Sequence, residues 1–420
     1  MKVAAFKILF RKVRIIGFEK LSGAWDFLLY ALRIPVFTAK IGDSPEKTIV
    51  YVGEFLPPRT ARMAKWLKRK NKYRTVLLCS RHGYVSAFTN NSFDRTFLFR
   101  NAWHLRRILR SLPPIWLMHS FAPKSHFPDV ARETLPGVPF IHDMQDVYAT
   151  YYGTSPALRW LQRELPHEKN CLTYADGVVA HCLEANVGFR RYGITEKPPT
   201  LFFPLYCDDD CFIDNAKKIS DSEIHLAYAG GVAGSHRDPG HYGNIQFHRL
   251  IETLTAQGLH FHIYPSPSNI RADYEEYEAL DKTNPRFHFH KPVKQEALAE
   301  ELSKYHFGIL PFFKELSEQS PMKLKYATTL KLFNYLEAGL PVIVSGDLGF
   351  QSWLVKRYDF GVVIALADVG ILRAKLEAVP DTHFPEQVRR ARQTLALSRH
   401  VNRLENFYRT TSARKFPESR

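Results

Sequence analysis

The segment TTLKLFNYLEAGLPVIVSG, residues 328–346, carries the most information about the fold. Its first part has the pattern of a short amphipathic helix that begins at Thr328 or Thr329, and Gly339 is of the residue type that commonly ends a helix. Pro341 then leads into VIVS, an apolar run of the length expected for a buried strand. A helix followed by a buried strand is the repeating unit of a parallel α/β sheet.

The same alternation of short apolar runs and helical patterns recurs along most of the chain. The apolar runs fall into two sets, separated by a polar stretch rich in aspartate. The first set is TIVYVG (48–53), RTVLLCS (74–80), PIWLMHS (114–120), VPFIHD (138–143) and DGVVAHC (176–182). The second set is IHLAYAGG (224–231), LHFHIYP (259–265), RFHFHKP (286–292), FGILPF (307–312), LPVIVS (340–345) and FGVVIA (360–365), with helices at about 243–257, 294–304, 329–338 and 349–357. Each set predicts a doubly wound domain, and ligands of such domains bind at the carboxyl ends of the strands.

Composition agrees with a folded protein of two or three domains. The chain has 420 residues, of which 45% are hydrophobic and 13% aromatic, so it is not a disordered protein. Its most apolar stretches, such as residues 28–39, are broken by Arg33 and Pro35 and fall short of the ~18 uninterrupted residues of a membrane-spanning helix. The first 18 residues carry five Lys/Arg and lack the pattern of a secretory signal. We therefore expect a cytoplasmic protein.

The positive charge is concentrated in the first quarter of the chain. The formal net charge is +16, and residues 1–110 hold 23 Lys/Arg against six Asp/Glu. Residues 3–18 have the spacing of a basic amphipathic helix, which either lies on an anionic membrane or packs on its own domain. Residues 59–74 carry eight cations and no acid, and predict the helix after the first strand. This asymmetry predicts an anionic partner, either a phospholipid surface or a polyanion.

The five cysteines predict reduced thiols. They include no CxxC pair and fit neither a disulfide framework nor a zinc ribbon. Cys207 and Cys211 enclose three aspartates, and we interpret this string as a polar linker loop. The histidines that alternate with phenylalanine in residues 259–265 and 286–292 also invite a metal site. We expect none there, because no carboxylate or cysteine joins them at ligand spacing.

The helix in residues 328–346 presents polar groups at its start. Leu332 and its apolar neighbours share one face, whereas Lys331, Asn334 and Glu337 fall on the other and point away from the core. The beginning of a helix between strands of a doubly wound domain faces the ligand crevice and offers free N–H groups to a phosphate. The pattern favours a binding role for this face over an ordinary solvated one.

This segment resembles the donor site of GT-B glycosyltransferases, especially the family 4-like retaining enzymes (glycosyl transferases group 1). The similar parts are KLFNYLEAGLPVIVS (331–345), ELPHEKNCLTYADGVVAHC (164–182), YHFGILPFF (305–313) and RLENFY (403–408), within residues 48–410. The resemblance implies an α/β protein of two doubly wound, Rossmann-like domains that face a cleft. It also implies a nucleotide-sugar donor and no required metal or other cofactor.

The resemblance also implies a division of the chain into five segments. Residues 1–45 would be a basic amphipathic extension outside the resemblance, and 46–205 the acceptor domain. Residues 206–222 would be the linker and 223–382 the nucleotide-sugar domain. Residues 383–420 would form a C-terminal helix that returns to the first domain.

Carried over by position, the resemblance assigns the donor site. Lys331, with Thr329 at the helix start, would neutralise the diphosphate, and Asn334 would bind donor hydroxyls where the family usually has Glu. The family's earlier glutamate is matched by Tyr326, and Glu337 is a candidate replacement.

A glycine-rich loop is the second part of the predicted donor site. In AYAGGVAGSHRDPGHYGN (227–244), Gly230 and Gly231 end a strand, so that backbone N–H groups can approach a phosphate. Arg237 would add charge to this loop. A plain turn is the alternative interpretation.

The first domain offers the predicted catalytic groups. His142 matches a family histidine close to the reacting sugar, and the neighbouring carboxylates of Asp143 and Asp146 would orient it or receive the acceptor proton. His119, which ends the preceding strand, and Arg59, in the first loop, are candidates for acceptor or phosphate contact. We predict no metal ligand among the site residues.

Together these observations predict a hexosyltransferase-type enzyme. It would transfer a sugar from a nucleotide-sugar to a membrane-associated glycan or glycolipid, in surface polysaccharide or lipopolysaccharide biosynthesis, and would be peripheral on the inner face of the membrane. The alternatives are a non-catalytic nucleotide-sugar binding protein, an epimerase on the same architecture and a basic nucleic-acid- or membrane-binding protein. No recognised nucleic-acid module supports the last of these.

Overall fold

A computed structural model describes residues 21–34, 47–84, 91–121, 123–214, 218–267, 269–318, 321–326, 328–380 and 382–415. These residues form two parallel β-sheets flanked by helices. The helix predicted at residues 3–18 lies outside the described residues. No described helix combines the length and hydropathy needed to cross a membrane.

The first sheet has seven strands, in the order β3-β2-β1-β4-β5-β6-β7, and every neighbouring pair is parallel. The strands are β1 (Lys47–Gly53), β2 (Tyr73–Ser80), β3 (Arg95–Phe99), β4 (Leu117–Phe121), β5 (Phe140–Met144), β6 (Gly177–Ala180) and β7 (Thr200–Phe202). The strand order reverses between β1 and β4, and this switch point opens a crevice at the carboxyl ends of the strands.

Helices cover both faces of the first sheet. They are α1 (described over 21–31), α2 (Pro58–Lys68), α3 (Ala102–Ser111), α4 (His126–Thr134), α5 (Tyr148–Tyr152), α6 (Arg159–Tyr174) and α7 (Glu184–Arg191). One apolar cluster includes Val50, Leu105 and Phe140, and the other includes Ile49, Tyr51 and Ile141. Successive strand residues therefore supply opposite cores, as expected for a sheet buried on both faces.

The second sheet has six strands, in the order β10-β9-β8-β11-β12-β13, and is also wholly parallel. Its strands are β8 (His225–Gly230), β9 (His260–Pro265), β10 (Phe287–Phe289), β11 (Phe307–Leu310), β12 (Val342–Ser345) and β13 (Gly361–Ile364). The accompanying helices are α8 (Pro239–Tyr242), α9 (His248–Ala256), α10 (Glu275–Thr283), α11 (Gln295–Leu302), α12 (Pro321–Tyr326), α13 (Leu330–Glu337), α14 (Gly349–Tyr358), α15 (Leu372–Glu377), α16 (Phe384–Thr394) and α17 (Leu397–Lys415).

The chain crosses between the two domains twice, and the two crossing segments lie side by side. The backbone N–H of Cys207 donates to Leu395 O, and the N–H of Leu397 donates to Cys207 O, both at 2.9 Å. Beyond this bridge, α17 packs into the first core through Leu404 and Tyr408. The last helix thus belongs structurally to the first sheet.

The predicted fold class is confirmed. All eleven predicted strands are present, but the sequence analysis missed β3 and β7, the two edge strands of the first sheet. β7 has three residues, and β3 has the exposed Arg95 and Thr96 at its start, so neither shows a long apolar run. The predicted helix at 243–257 is divided into a 3₁₀ turn at Gly243–Ile245 and α9.

Candidate active site

The carboxyl end of β8 meets the start of α13 through Gly230 and Lys331. A Cβ added at Gly230 would lie 2.1 Å from Lys331 Cε, so a larger residue here would displace the end of the lysine side chain. Lys331 Nζ lies 5.6 Å from the ring centre of Tyr228 and 5.4 Å from that of Phe312. No described carboxylate pairs with it. Burial between the rings lowers the pKa of Lys331 to about 8.

The start of α13 adds further anion-binding groups beside this lysine. Thr329 is the N-cap, and its side chain accepts a hydrogen bond from Lys331 N at 3.4 Å. The hydroxyl oxygen of Thr328 is buried and has no hydrogen-bond partner in the described part of the chain. A helix N-terminus, an ammonium without a carboxylate and a buried hydroxyl are all groups with the chemistry to bind a phosphate.

The glycine-rich loop is held by hydrogen bonds within the second domain. The Gly231 carbonyl accepts from Tyr228 Oη at 2.9 Å. Arg237 donates to both oxygens of Asp273, each at 2.9 Å, so its charge is already balanced. Gly234 N also donates to Asp273, at 3.3 Å. In this conformation Lys331, and not Arg237, supplies the unbalanced positive charge.

Asn334 and Glu337 face the first domain instead of solvent. Arg62 of α2 donates to Glu337 Oε2 at 3.0 Å and to Asn334 Oδ1 at 3.3 Å, and Asp208 N donates to Glu337 Oε1 at 2.7 Å. Gln295 Nε2 occupies the same Asn334 oxygen at 3.1 Å. Both predicted donor-binding side chains are buried and form an interdomain contact. Of the three polar residues predicted on this face of α13, only Lys331 is left without such a contact.

His142 ends β5 inside the first domain. Its exposed fraction is 2%, and its Nδ1 lies 2.7 Å from Ser120 Oγ. Burial lowers its pKa to about 4, so the imidazole is neutral at pH 7. Its Nε2 has no partner among the described residues. A neutral ring oriented by Ser120 can accept a proton at that nitrogen.

Asp143 lies on the opposite face of β5 and cannot orient His142 as the sequence analysis expects. Its carboxylate is fully buried, 3.0 Å from Arg59 Nη2 and 3.5 Å from His119 Nε2. Although burial raises its pKa, the Arg59 guanidinium and His119 hold it well below the usual range. Arg59 and His119, the predicted acceptor or phosphate residues, are also buried, and His119 Nδ1 pairs with Tyr408 Oη. In this conformation none of the three contacts the crevice.

Two further features lie at the carboxyl end of the first sheet, namely an ion pair that was not predicted from the sequence and the carboxylate of Asp146, which was predicted beside Asp143. Lys124 Nζ pairs with Glu54 Oε1 at 2.8 Å, across the switch point between β1 and β4. Asp146, in the loop after β5, has a φ of 56°, and its carboxylate has no partner among the described residues. Left-handed backbone at a non-glycine residue often marks a functional site. The signal was its position just beyond a strand end.

The histidines of the second sheet bond to each other. His225 Nδ1 lies 2.8 Å from His262 Nε2, and His262 Nδ1 lies 3.0 Å from His290 Nε2. The rings of His225 and His260 are stacked within 21° of parallel. The carboxylate of Asp221 lies 3.0 Å from Nε2 of His225, which is not one of the four histidines considered for a metal site in the sequence. Stacked rings direct their lone pairs along parallel planes, which does not favour a shared ion, and the prediction of no metal here stays a prediction.

The aspartates between Cys207 and Cys211 connect the two halves. Lys65 pairs with Asp208 and, at 2.9 Å, with Asp210, while Asp209 accepts from the Ser398 backbone at 3.1 Å. All five cysteines are free thiols. The string therefore fastens the interdomain connection to α2 and α17.

Comparison with known proteins supports a glycosyltransferase architecture. Residues 243–400 match the C-terminal domain family of glucosyltransferase 3-like proteins. No curated protein sequence matches the chain. Among solved structures, sucrose-phosphate synthase from Thermosynechococcus elongatus aligns with TM-score 0.60 and 15% identity, over 88% of this chain and all of that one.

Two further structures share the fold. HepE from Anabaena, solved with UDP, aligns with TM-score 0.61 and 11% identity, over 87% of this chain and all of that one. A protein from Listeria monocytogenes described as a UDP-N-acetylglucosamine 2-epimerase aligns with TM-score 0.54 and 11% identity, over 86% of this chain and 95% of that one. The chain therefore has the GT-B fold of these proteins, with two parallel sheets, and its residues 243–400 are similar to the C-terminal domain of glucosyltransferase 3-like proteins.

Proposed function

We propose that the protein transfers a sugar from a nucleotide-sugar donor to an acceptor, with the donor diphosphate bound between Gly230 and the start of α13. The observation that carries this proposal is Lys331, a lysine between two aromatic rings without a carboxylate partner in the described chain. A cation kept without an internal counter-ion fits an anionic ligand, because the ligand restores the balance of charge. The buried Thr328 hydroxyl gives the same ligand a hydrogen-bond donor.

In the proposed reaction the diphosphate leaves as an anion, and the charge it develops is stabilised by Lys331 and the N-terminus of α13. No metal is needed for this role, since both groups are supplied by the chain. A uridine nucleotide is the first candidate, because HepE was solved with UDP and with UDP-glucose. The reaction would retain anomeric configuration, as the resemblance to family 4-like enzymes implies.

The first domain would hold the acceptor at the carboxyl end of its sheet. His142 is the candidate for contact with the reacting sugar, because its Nε2 is left without a partner. Asp146 is a second candidate, because its carboxylate is partly exposed at the end of the same strand. Asp143 would act by keeping Arg59 and His119 in place.

The acceptor we propose is a membrane-associated glycan or glycolipid of surface polysaccharide biosynthesis, such as lipopolysaccharide. The support is the charge distribution, with 23 Lys/Arg against six Asp/Glu in residues 1–110. Such a region is attracted to anionic lipid, so the protein would work as a peripheral protein on the inner face of the membrane.

The test begins with nucleotide binding. Calorimetry with UDP, GDP and ADP should give saturable binding of one nucleotide, which Lys331→Ala removes and Lys356→Ala, at an exposed position of α14, leaves unchanged. Binding that survives Lys331→Ala would contradict the proposed donor site. Product analysis with the matching nucleotide-sugar then separates transfer from the alternatives.

An epimerase is the second candidate, because the Listeria protein of that description shares the fold. An epimerase would convert the donor sugar without any acceptor, whereas a transferase would release the nucleotide in proportion to glycosylated acceptor. Binding with neither outcome would indicate a non-catalytic nucleotide-sugar binding protein.

A further inference from the structure

Helix α1 is fixed on the first domain by a buried carboxylate. Asp26 is fully buried and accepts hydrogen bonds from Arg100 at 3.0 Å, from Asn101 at 3.0 Å and from Arg107 at 3.1 Å. The ring of Trp103, in α3, packs against Phe27 and Tyr30 of α1. These contacts set which face of α1 is turned outward.

The outward face of α1 and of the turn after it is an apolar stripe. Its members follow each other at spacings of four, three and four residues, so they lie on one side of the helix. Their exposed fractions are large: Leu21 74%, Trp25 59%, Leu28 45% and Leu32 62%. Single exposed apolar residues are ordinary, but a continuous stripe with a tryptophan marks an interaction surface.

A pocket rich in arginine lies where α1 ends against α3. It has a volume of about 400 Å³ and is lined by Tyr30, Arg33, Ile34, Arg107, Arg110 and Ser111. Arg107 is balanced by Asp26 and also donates to Ile34 O at 3.2 Å. The Arg110 guanidinium lies 4.2 Å from the ring centre of Tyr30. Arg33 and Arg110 are exposed, and neither has a carboxylate partner in the described chain.

We propose that this pocket binds the phosphate of an anionic lipid headgroup while the stripe of Leu21, Trp25, Leu28 and Leu32 enters the bilayer interface. The proposal rests on the proposed membrane-borne acceptor and adds the surface that would meet the membrane. Guanidinium groups bind phosphate oxygens in a bidentate manner, and tryptophan favours the interface between lipid and water.

Charge favours a bilayer over a soluble apolar partner for this surface. The last residue of the stripe, Leu32, is followed directly by Arg33 of the pocket, and the described part of α1 contributes only one carboxylate, which is buried and already paired. An anionic membrane satisfies the apolar stripe and the cations at the same time. The surface also belongs to the first domain, so docking would leave the Lys331 site of the second domain able to bind its donor.

The experiment is co-sedimentation of the full chain with vesicles of phosphatidylcholine alone or of phosphatidylcholine with phosphatidylglycerol. We expect binding to the anionic vesicles only. Arg33→Gln with Arg110→Gln should weaken it roughly thirtyfold, at about fivefold for each lost cation. Trp25→Ser with Leu28→Ser should weaken it by about tenfold or more. Both pairs are exposed, so the melting temperature should stay unchanged.

Matched controls separate this surface from general charge and hydrophobicity. Lys282→Gln with Lys356→Gln removes the same charge elsewhere, and Leu183→Ser with Trp353→Ser removes the same kind of exposed apolar residue. Both control pairs should bind vesicles as the wild type does. Glycerol phosphate should not displace the vesicles, since it offers the phosphate without the apolar interface.

Several results would overturn the proposal. They are equal binding to neutral vesicles, full displacement by glycerol phosphate, wild-type binding by both surface variants, or loss of binding in the controls. Removal of residues 1–20 that abolishes binding while both surface variants retain it would also overturn it. Nucleotide binding by the surface variants is measured in parallel and should be unchanged, so failure here is distinguishable from failure of the donor site.

Discussion

The two sheets end in polar corners that differ in how their charges are balanced. In the first domain the charges of Asp143 and Arg59 balance each other inside the core, 3.0 Å apart. In the second domain Lys331 and Thr328 have no internal partner among the described residues. A charge that is balanced internally contributes to the fold, whereas one left unbalanced is available to a ligand. Residue type alone therefore does not distinguish structural groups from candidate binding groups. The presence or absence of an internal partner does.

The largest effect we expect tests the internally balanced corner. Asp143→Asn leaves the buried Arg59 without its counter-ion, and loss of one partner of a buried pair costs about 3–5 kcal/mol. Thermal unfolding should begin about 10 °C lower. Nucleotide binding in the second domain should be retained at a temperature where the variant is folded.

The matched control for that prediction is Asp146→Asn, three residues further along the chain. Its carboxylate is partly exposed and has no described partner, so stability should change by no more than about 0.5 kcal/mol. Equal destabilisation by both variants would remove the distinction between the two carboxylates.

The next effect tests the unbalanced corner. Lys331→Ala should reduce kcat/KM by about 10²–10³, because it removes the cation that we propose stabilises the leaving diphosphate. The melting temperature of the unliganded protein should not fall, since no described ion pair is broken. A marked loss of stability with normal activity would mean that Lys331 contributes to the fold and not to catalysis.

A smaller effect concerns pH. Because the pKa of Lys331 is about 8 in the unliganded protein, the ammonium form that binds phosphate is lost as pH rises through that value. Nucleotide affinity should fall by up to about tenfold per pH unit above 8, until the pKa of the bound state is reached. Titrations between pH 7 and 10 would measure this slope, and a Lys331→Met variant should give a flat profile.

The smallest effect is that of the Thr328 hydroxyl. Thr328→Val removes a buried group without a partner, so the unliganded protein should be equally or slightly more stable. Nucleotide affinity should fall by about three- to tenfold, the equivalent of one hydrogen bond. Thr253→Val, at a partly exposed position of α9, should change neither quantity.

The parts of the structure that depend on neighbouring residues were predictable from the sequence. The strand pattern gave both sheets, and the start of α13 at Thr329 follows from ordinary capping preferences. The positions of Gly230 and Lys331 follow from the resemblance, and the structure brings them into contact. Such features need only the local sequence and a known architecture.

The parts that depend on distant partners were not predictable. Arg62 reaches Glu337 across 275 residues, and no local pattern indicates which of the eight cations in residues 59–74 does so. The opposite orientation of His142 and Asp143 could have been predicted from the sequence, because adjacent strand residues point to opposite faces. The contact between Asp221 and His225 could also have been predicted, because Asp221 is only four residues before His225.

The double crossing of the chain at Cys207 and Ala396 has a consequence for dissecting the protein. The first domain is discontinuous, since α17 fills its core from the far end of the sequence. A fragment that stops after the linker would expose the surface that Leu404 and Tyr408 cover and should aggregate. Independent domains require two cuts and a new join: residues 208–395 as one chain, and the first domain with α17 linked directly to residue 207.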